Sequence, residues 1–96
     1  MIVIWSPTAA TEFEQCVNYI TANSSANIAK KWRDKIFKSL KTLEIFPKAG
    51  RKFGSQNERI WLPHKNYMAY YKIYEDYISI VRFRHSKRKR LKYKAK

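Results

Sequence analysis

Arg82 and Arg84 stand two residues apart and lead into His85, Lys87, Arg88, Lys89, Arg90, Lys92, Tyr93, Lys94 and Lys96. Nine of the 21 Lys+Arg side chains fall in these last fifteen residues, which hold no Asp or Glu. Guanidinium and ammonium groups at this density neutralise phosphate or carboxylate oxygens, and a tyrosine or histidine among them adds stacking or proton-transfer capacity. The run begins inside the strand pattern Tyr77-Ile-Ser-Ile-Val-Arg-Phe-Arg84. A rigid sheet can therefore anchor the base of a cationic tail, residues 86–96, while the rest reaches a polyanion. Alternation along a strand puts Arg82 and Arg84 on one face and Val81, Phe83 and His85 on the other. If Val81 and Phe83 pack beneath helices, both arginines stand on the open face of the sheet. A single arginine there needs no more explanation than solvation of that face.

Other chemistries find little support. Cys16 is the only cysteine and falls on an apolar helical stripe, which reads as a packed core thiol. No Cys/His grouping has metal-ligand spacing, and the two glycines, Gly50 and Gly54, build no phosphate-cradling loop, so neither metal nor cofactor is expected. His64, beside Pro63, reads as a turn residue. A net charge of +14 on 96 residues favours an anionic partner, whereas 45% hydrophobic and 16% aromatic residues indicate a folded domain rather than a disordered basic chain. No apolar run suits a spanning helix or an export signal, which makes the cytoplasm the expected location and a membrane an unexpected partner.

The elements that must position these groups read as a single domain over residues 1–96. Residues 2–5 form a short apolar strand. Ser6 caps a helix with Pro7 at its first position, and Ala9, Ala10, Phe13, Cys16, Val17 and Ile20 recur on one face. After a break at residues 23–25, a second helix carries Ala29, Trp32, Ile36, Leu40 and Leu43 inward and Lys31, Lys35, Lys38 and Lys41 outward, stopping before Pro47. So short a break makes the two helices an antiparallel hairpin. Residues 47–56 read as loop. Strands follow at 58–62, bounded by Pro63, and at 66–74 and 77–84, the last two close enough to form a hairpin. The expected class is α+β: an N-terminal strand, then a helical hairpin packed on one face of a mostly antiparallel sheet, in the order β-α-α-β-β-β.

Along that order stand Trp5-Ser-Pro-Thr-Ala-Ala10, Tyr19-Ile20, Phe46-Pro-Lys-Ala-Gly-Arg51, Glu58-Arg-Ile60, Asn66-Tyr67, Tyr70-Tyr-Lys-Ile73 and Ile78-Ser-Ile-Val-Arg-Phe-Arg-His-Ser-Lys-Arg88. Together they carry a resemblance to the RelE/ParE superfamily of toxin–antitoxin toxins. It implies a small toxin silenced by a cognate, acidic antitoxin, expected to cover an open face around Arg59, Arg82 and Arg84 or to displace the basic tail.

The target divides the superfamily. Members similar to RelE cut mRNA on the ribosome, which needs cations on the phosphorane and groups for the proton steps. On that resemblance Arg59, Arg84 and Arg88 would carry the charge, Tyr93 and His85 the proton or positioning roles. Lys48, Arg51, Lys52, Arg82, Lys87, Lys89 and Arg90 would hold the RNA backbone. This is the leading expectation: a metal-independent endoribonuclease acting on ribosome-bound mRNA. Met68 stands after Tyr67 where members similar to RelE often have an arginine, and Asn66-Tyr67 with His85-Ser-Lys-Arg88 looks more like the ParE branch, which implies DNA gyrase as the alternative target, with no cleavage site in the toxin. A non-enzymatic nucleic-acid-binding module, stacking bases on Trp61, Tyr70 and Tyr74, is the reading from a third class.

Overall fold

A computed structural model of the chain describes residues 1–55 and 57–86. Strand β1 (Ile2–Trp5) leads into helix α1 (Pro7–Asn23) and helix α2 (Ala26–Ile45). A 3-10 turn (Pro47–Ala49) and the two-residue strand β2 (Arg51–Lys52) follow, then β3 (Glu58–His64), β4 (Tyr67–Ile73) and β5 (Tyr77–His85). The sheet order is β1-β5-β4-β3-β2, with β1 parallel to β5 and the other pairs antiparallel.

Each helix starts on a serine. Ser6 Oγ accepts from the Ala9 N–H and Ser25 Oγ from the Ile28 N–H, both at 3.1 Å. These caps satisfy backbone donors that have no partner inside the helix. Ala29, Trp32, Ile36, Leu40 and Leu43 of α2 are buried as their spacing predicts. From α1, Ala9 and Phe13 are buried and Cys16, Val17 and Ile20 pack partly beneath them, but Ala10 is exposed, at the margin of the stripe.

The main core lies between the hairpin and one face of the sheet, and its centre is aromatic. Phe13 stacks on Trp32 at 5.3 Å, Trp32 meets Tyr67 edge-on at 4.9 Å, and Tyr67 stacks on Phe83 at 5.7 Å. Ile78, Ile80, Phe83, Ala69 and Tyr71 share this face. Ile60, Met68 and Tyr70 form a smaller cluster on the opposite face, with Phe53 and Val81 against it.

Three expectations need correction. Val81 does not pack beneath the helices. Tyr70 pairs with Arg82 but Tyr71 with Ile80, so Val81 is an extra residue in a β-bulge and turns to the far face while Ile80 and Phe83 both face the helices. Pro63 does not bound β3 but lies within it, where the register with β4 shifts between Trp61 and His64 and no regular ladder bond is required of it. Residues 47–56 are not simply loop: the 3-10 turn and β2 lie there, held by side chains far along the chain. Tyr71 Oη donates to the Pro47 carbonyl at 2.6 Å and accepts the Gly50 N–H at 2.9 Å. A two-residue strand fixed by distant tertiary contacts has no period to read.

Candidate functional site

Beyond Trp5 the parallel partner of β5 ends, and the start of α1 takes its place along that edge. Ser6 donates its N–H to the Ile80 carbonyl at 2.9 Å and its hydroxyl to the Val81 carbonyl at 3.1 Å. Nearly two turns on, the Glu12 carboxylate accepts the Phe83 N–H at 2.9 Å, as a neighbouring strand's carbonyl would. The same carboxylate holds Arg82 in a two-pronged contact, Nε at 3.0 Å and Nη2 at 2.8 Å. Arg82 leaves the far face of the sheet, where it pairs in register with Tyr70, and turns over the edge to α1. Burial by itself would raise the Glu12 carboxyl, but the Arg82 hydrogen bonds, the Phe83 N–H and the charges of Arg82 and Arg84 hold it below its ordinary value of 4.5.

Arg84 pairs in register with Met68, a member of the far-face cluster, so its side chain rises on that face. Its Nε is buried without an acceptor among the described residues, and so is the hydroxyl of Tyr70, which is only 2% exposed. Tyr70 therefore offers no free ring for base stacking. Trp61 is also committed, donating its indole N–H to Ser39 Oγ at 3.2 Å on the helix side. Tyr74 remains the most exposed of the three, stacked on Tyr77 at 4.7 Å.

Arg59 does not join the other two arginines. Its register partner Tyr71 belongs to the main core, so Arg59 faces the helix side of the sheet. There Arg59 Nη1 donates to the carbonyls of Gly50 at 2.8 Å and Lys48 at 3.2 Å. An open face shared by Arg59, Arg82 and Arg84 is thus replaced by three separate positions: the helix side, the sheet edge and the far face. The cause is strand alternation together with the bulge at Val81.

Lys48, Lys52 and Arg59 instead gather with Asn57 and Ile73 around a cleft of about 240 Å³. Arg51 points the other way, paired with Ile60 on the far face. His85 lies edge-on to Tyr67 at 4.8 Å, on the Phe83 side as alternation predicts. His64 is not a turn residue: it ends β3, accepts the Asn66 N–H on Nδ1 at 3.3 Å, and is made harder to protonate by burial and by Lys65 and Lys35. The expected roles of Lys87, Arg88, Lys89, Arg90 and Tyr93 fall outside the described residues. Among the described residues no His, Cys, Asp and Glu cluster could hold a metal ion, and no helix is long and apolar enough to cross a membrane.

Two contributors escaped the sequence reading. Glu12 borders the apolar stripe of α1, one residue before buried Phe13, and an acid so placed in a chain with only seven is a legible signal. Tyr71 follows from alternation, which buries it and leaves its hydroxyl needing partners.

Comparison with known proteins points one way. A family model described as the ParE toxin of the type II toxin–antitoxin system parDE matches residues 3–90. A chain of the solved chromosomal ParDE TA system from P. aeruginosa superimposes with a TM-score of 0.77. It is 19% identical to this chain, and the match covers 88% of this chain and 95% of that one. At this identity the likeness speaks for the fold. No curated protein matches the chain.

Proposed function

The chain belongs to the ParE toxin family of type II toxin–antitoxin systems, and on that premise we propose that it arrests growth by binding and poisoning DNA gyrase rather than by cutting mRNA. The observation that carries this reading is the separation of the arginines. A phosphorane is stabilised by preorganised cations directed at one point. Arg59 and Arg84 lie on opposite faces of the sheet, and the Arg82 guanidinium is taken up by Glu12. A surface that only has to bind a large target needs no such convergence, and spread positive charge then serves association with gyrase and its DNA.

Ribosome-dependent cleavage is the second reading. The Arg84 Nε, buried and without an acceptor among the described residues, favours it, because this strand-anchored cation directly precedes the basic sequence 87–90 and could face a phosphate. Induction of the protein without its antitoxin separates the two. Gyrase poisoning produces DNA breaks covalently linked to gyrase and intact transcripts. Transcripts cut within codons on ribosomes, with DNA unbroken, would reverse the choice.

A further inference from the structure

The apolar stripe of α2 ends at buried Leu43, yet two more large apolar residues follow. Ile45 is 71% exposed and Phe46 63%. With Met1, Pro47 and Ala49 they line a cleft of about 600 Å³. Met1 is drawn there by its amino group, which donates to the Glu44 carbonyl at 2.7 Å. Lys48 and Ile73 line this cleft and also the cationic one that holds Lys52 and Arg59. The two clefts are therefore halves of one groove around the 3-10 turn, apolar on one side and basic on the other. The turn between them is held by Tyr71 Oη and by Arg59 Nη1, so the groove exists before any partner arrives.

We infer that this groove is a docking site for the cognate antitoxin, taking a segment in which a large apolar side chain fills the Ile45–Phe46 half and nearby carboxylates meet Lys48 and Lys52. The inference rests on membership of a toxin–antitoxin family only for the existence of that partner. The choice of occupant rests on charge. A second copy of a +14 chain would set Lys48, Lys52 and Arg59 against its own positive surface, whereas an acidic segment is complementary to all three. Exposed apolar anchors beside such cations are the arrangement in which a few residues dominate an interface.

The test uses the full-length toxin co-expressed with its antitoxin. Ile45→Ser with Phe46→Ser, and separately Lys48→Glu with Lys52→Glu, should each raise the dissociation constant of the complex about tenfold or more. The charge variant should also weaken the dependence of affinity on salt. All four side chains are exposed, and a thermal melt of each variant checks that the fold is kept. Growth arrest by the apolar variant should persist, now without rescue by the antitoxin. Wild-type affinity in both variants overturns the inference. So does an apolar variant that still binds antitoxin but has lost toxicity, because the groove would then belong to the target. Self-association of the toxin that the substitutions abolish would also overturn it. A wild-type protein that fails to arrest growth counts against the functional reading alone, since antitoxin binding is measured independently.

Discussion

Glu12 and Arg82 show how one carboxylate can change what a neighbouring arginine is for. Strand alternation alone puts Arg82 on an open cationic face, but its guanidinium turns to the Glu12 carboxylate, whose Oε1 also accepts the Phe83 N–H. Replacing the carboxylate by an amide leaves one acceptor oxygen for the edge N–H and the half-buried guanidinium, and sets an NH2 donor where the other oxygen stood. Glu12→Gln should therefore destabilise the fold by about 1–3 kcal/mol in chemical denaturation, while Arg84→Ala, which breaks no described hydrogen bond, should cost far less. The pH dependence has a definite sign. Because the Glu12 carboxyl lies below its ordinary 4.5 in the folded protein, the unfolded chain binds its proton first as the solution is acidified. The stabilisation from this group is whole above about pH 4.5 and is lost as pH falls below that through the lower native value. Melting temperature measured from pH 6 downward should fall more steeply in wild type than in Glu12→Gln. Parallel curves would mean that the pair contributes nothing.

At the scale of elements, the 3-10 turn and β2 depend on β3 and β4 for their shape. Gly50 sits where a Cβ would lie 2.6 Å from Tyr71 Oη and 2.7 Å from the Ile60 carbonyl, so the close approach excludes any side chain there. Burial pushes the Tyr71 hydroxyl towards its protonated form, partly offset by the Gly50 N–H and by Arg59, which suits a group that must donate to Pro47. Tyr71→Phe removes both bonds and leaves the Gly50 N–H unsatisfied. Amide exchange at Gly50 should accelerate by about tenfold or more, with a loss of ~1–3 kcal/mol in global stability. If exchange quickens at Gly50 alone, the turn is a local appendage. If β3 amides follow, turn and sheet open as one unit.

At the scale of the whole molecule, the buried hydrophobic residues among those described run from Ala9 to Phe83, and residues 87–96 follow them in the sequence. Seven basic side chains belong to that final segment. Truncation after Ser86 should therefore preserve a cooperative thermal melt while weakening binding to duplex DNA and flattening its salt dependence, because fewer counterions are released. Titration of both proteins from low to physiological salt provides the comparison. Loss of cooperative melting in the truncated chain would assign the segment to the core instead.

Local chemistry determined most of the architecture. Ser6 and Pro7 start α1, the period of Ala29, Trp32, Ile36, Leu40 and Leu43 sets the buried face of α2, and apolar alternation marks the last two strands. These signals survive in one dimension because caps and periodicities depend on neighbours within a turn or two. The expected sheet with helices on one face follows from the same order of elements. Long-range pairing decided the rest. The Val81 bulge depends on how β4 and β5 align, and the Arg82–Glu12 pair spans 70 positions in the chain. The turn at Pro47–Ala49 needs Tyr71 and Arg59 from strands not yet made when it is read in order. Whether Arg59, Arg82 and Arg84 meet or part is a matter of which faces their strands present once paired, and a one-residue bulge is enough to change that. The cations could thus be counted from sequence, but their directions existed only after the sheet had closed.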